Sequence, residues 1–264
     1  MMSDEHRRFL QGLRNHQRIV GAARFGILVA FFVLWELAAR LGWINAFIIS
    51  QPSRALAAMV NLFNRGELWL HLGMTVGETA VGFTVGTIAG IIVAVMLWWS
   101  DTLSDILDPY IVVLNAIPKV ALGPIFIVWM GTNVKAIVAM AIAVSVIVTI
   151  VMMYVGFREV DSDRVKLLRT FGATRGQILT KVVLPASVPV MVAALKVNVG
   201  LSMVGTIMGE FLVSRAGLGF LIVYGGQVFN MSLVMGSVIL LSIVSVLLYY
   251  GVSALEKAVL RARG

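Results

Sequence analysis

The sequence predicts an all-α polytopic membrane protein with six transmembrane helices and both termini on one side. Three observations carry that prediction. Of 264 residues, 59% are apolar and only 13% are charged, and the mean hydropathy is +0.95. Soluble domains run nearer half apolar and a quarter charged. The apolar residues gather into six runs near the length of about 20 residues that a helix needs to cross a bilayer. Finally, the cations are distributed unevenly between the segments that link those runs.

In chain order, residues 1–24 form a polar segment carrying Arg7, Arg8, Arg14, Arg18 and Arg24. The first span covers about 25–41, and Glu36 and Arg40, four apart, can pair on one face of it. Residues 44–70 read as an outer loop. There Gln51-Pro52-Ser53 suits a turn and cap before an amphipathic helix over 54–64. The second span, 71–99, carries Gly82, Gly86 and Gly90, a small-residue face that lets helices approach closely. Glu78 lies on the same stripe and is expected inside the bundle. Trp98 and Trp99 suit a membrane interface.

The third span, 107–130, contains Pro109, Pro118 and Pro124, which kink or break a helix unless neighbours satisfy the freed carbonyls. The fourth covers 134–154. The fifth, 185–213, begins at Pro185, where a missing N–H costs nothing. Residues 214–230 are Gly-rich and too short to span. The sixth covers 232–255, and Lys257, Arg261 and Arg263 follow it.

The one long polar interval between apolar segments is 156–189. From 157 to 184 it holds six cations: Arg158, Arg164, Lys166, Arg169, Arg175 and Lys181. Asp161, Ser162 or Asp163 can cap a short helix ending at Thr170, Gly172 supplies a break, and a second helix is expected over 174–183. With this segment and both termini inside, fourteen Lys and Arg lie there and four lie outside, at Arg54, Arg65, Lys135 and Arg215. That bias predicts N-in, C-in topology. It also accounts for the net charge of +8 better than nucleic-acid binding does.

The chain has no Cys, which excludes disulfides, thiolate metal sites and a cysteine nucleophile. His6, His16 and His71 are too scattered for a metal cluster. The N-terminus carries no signal-peptide pattern. An integral membrane enzyme would need His/Asp clusters or a nucleophile beside a base, and neither is visible. Channels and secondary transporters need no basic two-helix knob, and no internal repeat is apparent.

The string Arg169-Thr170-Phe171-Gly172-Ala173, with Ile178 and Val183-Leu184-Pro185, resembles the EAA loop of ABC importer permeases. Lys166 stands at that motif's Glu, and Leu167 and Leu168 stand at its two alanines; the Gly and the Leu-Pro are kept. Ile178 lies closer to Gly172 than the motif's spacing. The likeness extends over about 50–255. It is carried by Gln51-Pro52-Ser53, His71, Leu107-Asp108-Pro109, Ile117-Pro118-Lys119-Val120-Ala121, Pro124, Trp129-Met130-Gly131, Glu210 and Gly217-Leu218-Gly219. It is nearest to the taurine, aliphatic-sulfonate, nitrate and bicarbonate branch, which also holds permeases for thiamine-precursor pyrimidines.

The resemblance implies an ABC transmembrane type-1 domain at 67–255, preceded by a first helix and outer loop at 25–66 and followed by a cytoplasmic tail at 256–264. It implies a non-catalytic permease in a bacterial inner membrane, paired with a second copy. Two ATPase subunits would bind ATP and Mg, this chain holding no cofactor or metal, and an extracytoplasmic binding protein would deliver a small, anionic solute. Leu167, Leu168, Arg169, Thr170, Phe171, Gly172, Ala173, Leu184 and Pro185 would couple to the ATPase. Leu167, Leu168 and Phe171 would present its apolar face, with Arg169 on the other side free to meet acids of the ATPase.

A charge at mid-bilayer costs about 2.5–3.5 kcal/mol on insertion scales, so Glu78, Lys119, Lys196 and Glu210 require partners or water. Two readings stand. Some of them line a translocation cavity, with Asn198 and Met203 as further candidates, or they form internal pairs that hold the bundle. Lys196 and Glu210 are about 21 Å apart along a straight helix and cannot pair with each other. Lys119 can donate to carbonyls freed beside Pro118.

Overall fold

The computed structural model describes the backbone of residues 4–261 and the side chains of 15–254, 256 and 257. The side chains of Arg7, Arg8, Arg14, Leu255 and Arg261, and all of Arg263, lie outside the described residues. The described chain is helical, with no strand.

Helix α1 (Asp4–Arg40) is followed by α2 (Ala46–Ile49), α3 (Pro52–Asn64), α4 (Leu68–Trp99) and α5 (Asp101–Ala116). A 3₁₀ turn, Lys119–Leu122, leads into α6 (Gly123–Met130) and α7 (Val134–Arg158). Then come α8 (Ser162–Thr170), α9 (Arg175–Ile178), a π turn at Leu179–Val183, and α10 (Leu184–Ala186). The chain finishes with α11 (Val188–Val213), α12 (Leu218–Gln227) and α13 (Met231–Arg261).

Five helices are long and apolar enough to cross a membrane: Asn15–Arg40 within α1, then α4, α7, α11 and Met231–Ala254 within α13. The sixth expected span is broken. Helix α5 and the segment 119–130 meet at an angle of 90°. The break falls at Ile117-Pro118, where proline has no N–H to donate and its ring disfavours helical backbone at the preceding residue. Ile117 accordingly has extended dihedrals. Pro109, by contrast, is accommodated inside α5.

Helix α7 is the centre of the bundle, packed between α4 and α11. The small-residue stripe of α4 explains the first contact. A Cβ at Gly82 would overlap that of Ala141, one at Gly86 would overlap the Ser145 hydroxyl, and one at Gly90 would lie 2.6 Å from the Thr149 Cβ. The stripe therefore joins two helices of the same chain. Helix α11 mirrors it with Gly205 and Gly209, whose added Cβ atoms would sit 2.6 Å and 2.8 Å from the Cα atoms of Ala141 and Ile137. Without a hydrophobic drive between helices in lipid, such close backbone approach is a main source of association.

At one end of the bundle α3 lies across α13 and α4. Glu36 pairs with Arg40 at 2.8 Å, as the spacing predicts. The Ser53 side chain does not cap α3: its backbone N–H and hydroxyl donate to Glu36 at 3.0 and 2.9 Å, tying α3 to α1. The N-cap position is Gln51, which makes no side-chain cap bond. Helix α12 covers the same end between α4, α11 and α13. The segment 158–187 lies at the opposite end, with the C-terminus of α4.

Candidate functional site

The segment 158–187 is built by capping rules. Asp161 accepts from Asp163 N–H at 2.9 Å and starts α8. The helix ends in a Schellman motif: Gly172 N–H donates to Arg169 O at 2.9 Å, and Ala173 N–H donates to Leu168 O at 3.0 Å. That closure needs a left-handed residue, and Gly172 has φ +77° with no atom within 4 Å of an added Cβ. Thr174 then starts α9 with a capping box: Gln177 N–H donates to its hydroxyl, and Thr174 N–H donates to Gln177 Oε1 at 2.8 Å.

The expected second helix over 174–183 is only one α turn followed by the π turn. Pro185 accounts for this, because it has no N–H for the carbonyl of Lys181. The long helix proper starts at Val188, after a break at Ser187. Ser187 Oγ donates to Gly156 O at 3.1 Å, joining the segment's end to α7.

The faces of α8 differ from the sequence reading. Leu167 and Phe171, one helical turn apart, are 57% and 77% exposed. Leu168 instead turns inward and packs, with Val165, Ala173 and Leu184, against the buried Ile178, Val183, Met153 and Phe157. Arg169 is exposed on the side of α8 opposite Leu167 and Phe171, where the sequence places it. With Val165 and Lys166 it lines a cavity of about 260 Å³ between α8 and the ends of α4 and α7. The reason is geometric: Val165 and Arg169 are one turn apart, on the side opposite Leu167 and Phe171. Thr170 caps its own turn, donating to Leu167 O at 2.7 Å.

The intramembrane polar groups separate into two sets. Lys119 donates to Asn115 O at 2.7 Å, in the break beside Pro118, as expected of a freed carbonyl. Lys196 pairs with Glu256 of α13 at 2.5 Å, a partner the sequence reading did not single out. Lys196 and Met203 line a cavity of about 370 Å³ between α11 and α13. It shares Gly200, Met203 and Ser245 with a second cavity of about 220 Å³. That one shares Met208 and Phe211 with a third, of about 460 Å³, at the α5–α6 break. Together they form one groove along α11.

Asn198 and Glu210 are not in this groove; both are at most 2% exposed. Asn198 donates to Thr87 of α4. Glu210 accepts from Thr75 Oγ1 at 2.6 Å and from Gly219 N–H at 2.5 Å. Thr75 in turn accepts from Leu218 N–H at 2.8 Å, and His71 Nδ1 accepts from Gly217 N–H at 3.0 Å. These two bonds satisfy the Glu210 carboxyl from within the protein. Glu210 thus needs neither solute nor water: it caps α12 and locks that helix to α4. Glu78 adjoins it, 4% exposed, with its carboxyl set against that of Glu210. Three fragments that the sequence reading noted separately (His71, Glu210 and Gly217-Leu218-Gly219) meet here. Thr75 and Thr87, which complete these contacts, carried no sequence signal beyond lying on the Glu78 helix.

A bundle of broken and unbroken spans that displays a capped two-turn segment at one end is the architecture of a type-1 ABC transporter permease. Residues 86–263 match the family described as binding-protein-dependent transport system inner membrane component. The chain belongs to that family, whose members are multi-pass proteins of the inner membrane. It is 25% identical to the formylaminopyrimidine transport permease protein ThiX of Halalkalibacterium halodurans, over 94% of this chain and 97% of that one. It is also 25% identical to the taurine transport system permease protein TauC of Escherichia coli, over 88% of this chain and 86% of that one. Among solved structures it resembles a chain of the MetNI methionine ABC transporter, captured in inward-facing conformations. The TM-score is 0.65 at 23% identity, covering 76% of this chain and 97% of that chain.

Proposed function

We propose that this chain forms the membrane path of an ATP-driven importer and does no covalent chemistry. Two copies would pair. Two ATPase subunits carrying ATP and Mg would seat α8 of each copy, and an extracytoplasmic binding protein would deliver the solute. Both termini and 158–187 would face the cytoplasm, in keeping with the fourteen-to-four charge bias. The observation that carries the coupling assignment is the bare pair Leu167 and Phe171. Large apolar side chains displayed on a helix rimmed by charge mark a protein-binding surface.

The solute would pass along the α11 groove. Irregular backbone at membrane depth is tolerated where it lines a cavity, and the break that carries Lys119 opens onto that groove. Asn198 and Glu210 would hold the wall behind it. The solute would be a small anion such as a sulfonate, nitrate or bicarbonate, in line with the taurine permease among the relatives. Lys119 lines none of the three cavities, and Lys196, which lines one, is paired with Glu256. A pyrimidine is the second reading, favoured by the apolar lining at Pro118, Val120, Met208 and Phe211.

The test is co-purification of an ABC ATPase with this chain from its native membrane, then ATP-dependent uptake into vesicles. Candidate solutes would be those that bind any binding protein recovered with the complex. ATP-driven accumulation of one of them is expected. A chain that binds no ATPase, or that transports without one, would overturn the assignment.

A further inference from the structure

We propose that the cavity between α8 and the bundle is a binding site for an oxyanion of the phosphate or sulfate class, either free in solution or as the headgroup of an anionic lipid. Three separate elements bring four cations to a space of about 260 Å³: Arg158 from α7, Lys166 and Arg169 from α8, and Arg175 from α9. Asp101 is the one carboxylate in the lining. Asp101 and Asp105 act on Arg158, and Asp163 pairs with Lys166 at 3.1 Å, which leaves Arg169 and Arg175 facing the half-open space with no ion pair among the described residues.

The donors are already placed. Arg158 is held by the Tyr154 hydroxyl at 2.9 Å and Arg175 by the Trp99 carbonyl. Each anchor uses one of the five N–H donors of a guanidinium. Arg169 makes no side-chain hydrogen bond or ion pair among the described residues, and Lys166 bonds only to Asp163, which is 83% exposed. A planar guanidinium fork matches the spacing of two oxygens on one oxyanion. The floor is apolar and buried, made by Leu97, Phe157 and Ile178, so bonds above it are less screened than on open surface. Trp98 in the wall sets the cavity at the depth where interfacial tryptophans and lipid headgroups lie.

Because the cations come from both α7 and α8, an anion bridging them fastens the exposed helix to the bundle. The site stands on this geometry whether or not α8 seats an ATPase.

The full-length chain, purified in neutral detergent, would be melted in sodium sulfate or phosphate against sodium chloride at equal ionic strength. A second arm would use nanodiscs of phosphatidylcholine with and without phosphatidylglycerol. Arg158→Gln with Lys166→Gln should weaken the oxyanion-dependent rise in Tm, raising the half-saturating concentration roughly a hundredfold. Arg169→Gln, which removes no bond seen within the chain, should raise it about tenfold. Lys181→Gln, on the same segment but outside the cavity, should match the wild type, which separates binding from the general stabilisation that sulfate gives. Response to the inorganic anions identifies a free ligand, and response to phosphatidylglycerol alone identifies a headgroup. No oxyanion-specific shift in either arm, or the same shift in every variant, overturns the proposal.

Discussion

Truncating Leu167 and Phe171 to alanine should separate coupling from folding. Phe171 is 77% exposed and Leu167 57%, so their loss removes little packing within the chain. The stability of the permease should stay within about 0.5 kcal/mol, as for ordinary surface changes. Against a partner the arithmetic differs. An aromatic side chain buries about 150–250 Å² when covered. At about 25 cal/mol per Å², covering the exposed share of Phe171 is worth at most about 3–5 kcal/mol. Part of that is lost to ordering, and interface hot spots typically read about 2 kcal/mol or more on truncation. ATPase affinity should fall about 30-fold for Phe171→Ala alone and further for the pair. Titration of the purified ATPase onto the permease, with uptake at matched membrane levels and a melting curve as control, measures both sides. Affinity of the double variant within threefold of wild type, with uptake intact, would refute the docking face.

Four further outcomes follow from the same geometry. Gly172→Val should lose ATPase binding, because a left-handed φ costs an L-residue about 1–2 kcal/mol and distorts the Schellman closure. Gly172→Asn, which tolerates that region, should retain most of it in the same titration. Gly86→Leu should abolish folded yield by size-exclusion, since the new side chain would enter Ser145 and α7; combining Gly86→Ala with Ser145→Gly should recover part of it. Glu210→Ala should lower Tm, leaving the Gly219 N–H and the Thr75 hydroxyl without their acceptor at about 1–3 kcal/mol each, and Glu210→Gln should be milder. Single cysteines at Arg164, 71% exposed, and at Arg215 should label from opposite sides of the membrane. Gly217 is unsuitable for this because its added Cβ would strike the Glu210 carboxyl.

The sequence by itself determined what depends on local chemistry and on lipid as solvent. The spans were legible because hydrocarbon demands about 20 apolar residues. The α8 start within 161–163 and its stop at Gly172 were legible because capping is a contest among near neighbours; the structure chose Asp161. The Glu36–Arg40 pair and the Lys119 bond to a carbonyl beside Pro118 were local in the same way. What lay beyond a few turns was decided by packing. Nothing in the spacing of Lys196 indicates Glu256, 60 residues away on α13. The 90° break in the third span required a wall on which to fold back, supplied where Gly123 meets Met140 and Leu212. The glycine stripe declared a close approach but not its partner, because a small face fits any helix of matching shape. Only the assembled bundle set Ala141, Ser145 and Thr149 against it. Periodicity places a residue on a face of α8, but which face turns inward was fixed by Leu168, the side chain with an apolar bundle surface to cover. That orientation turned Arg169 toward the cavity and left Leu167 and Phe171 outside.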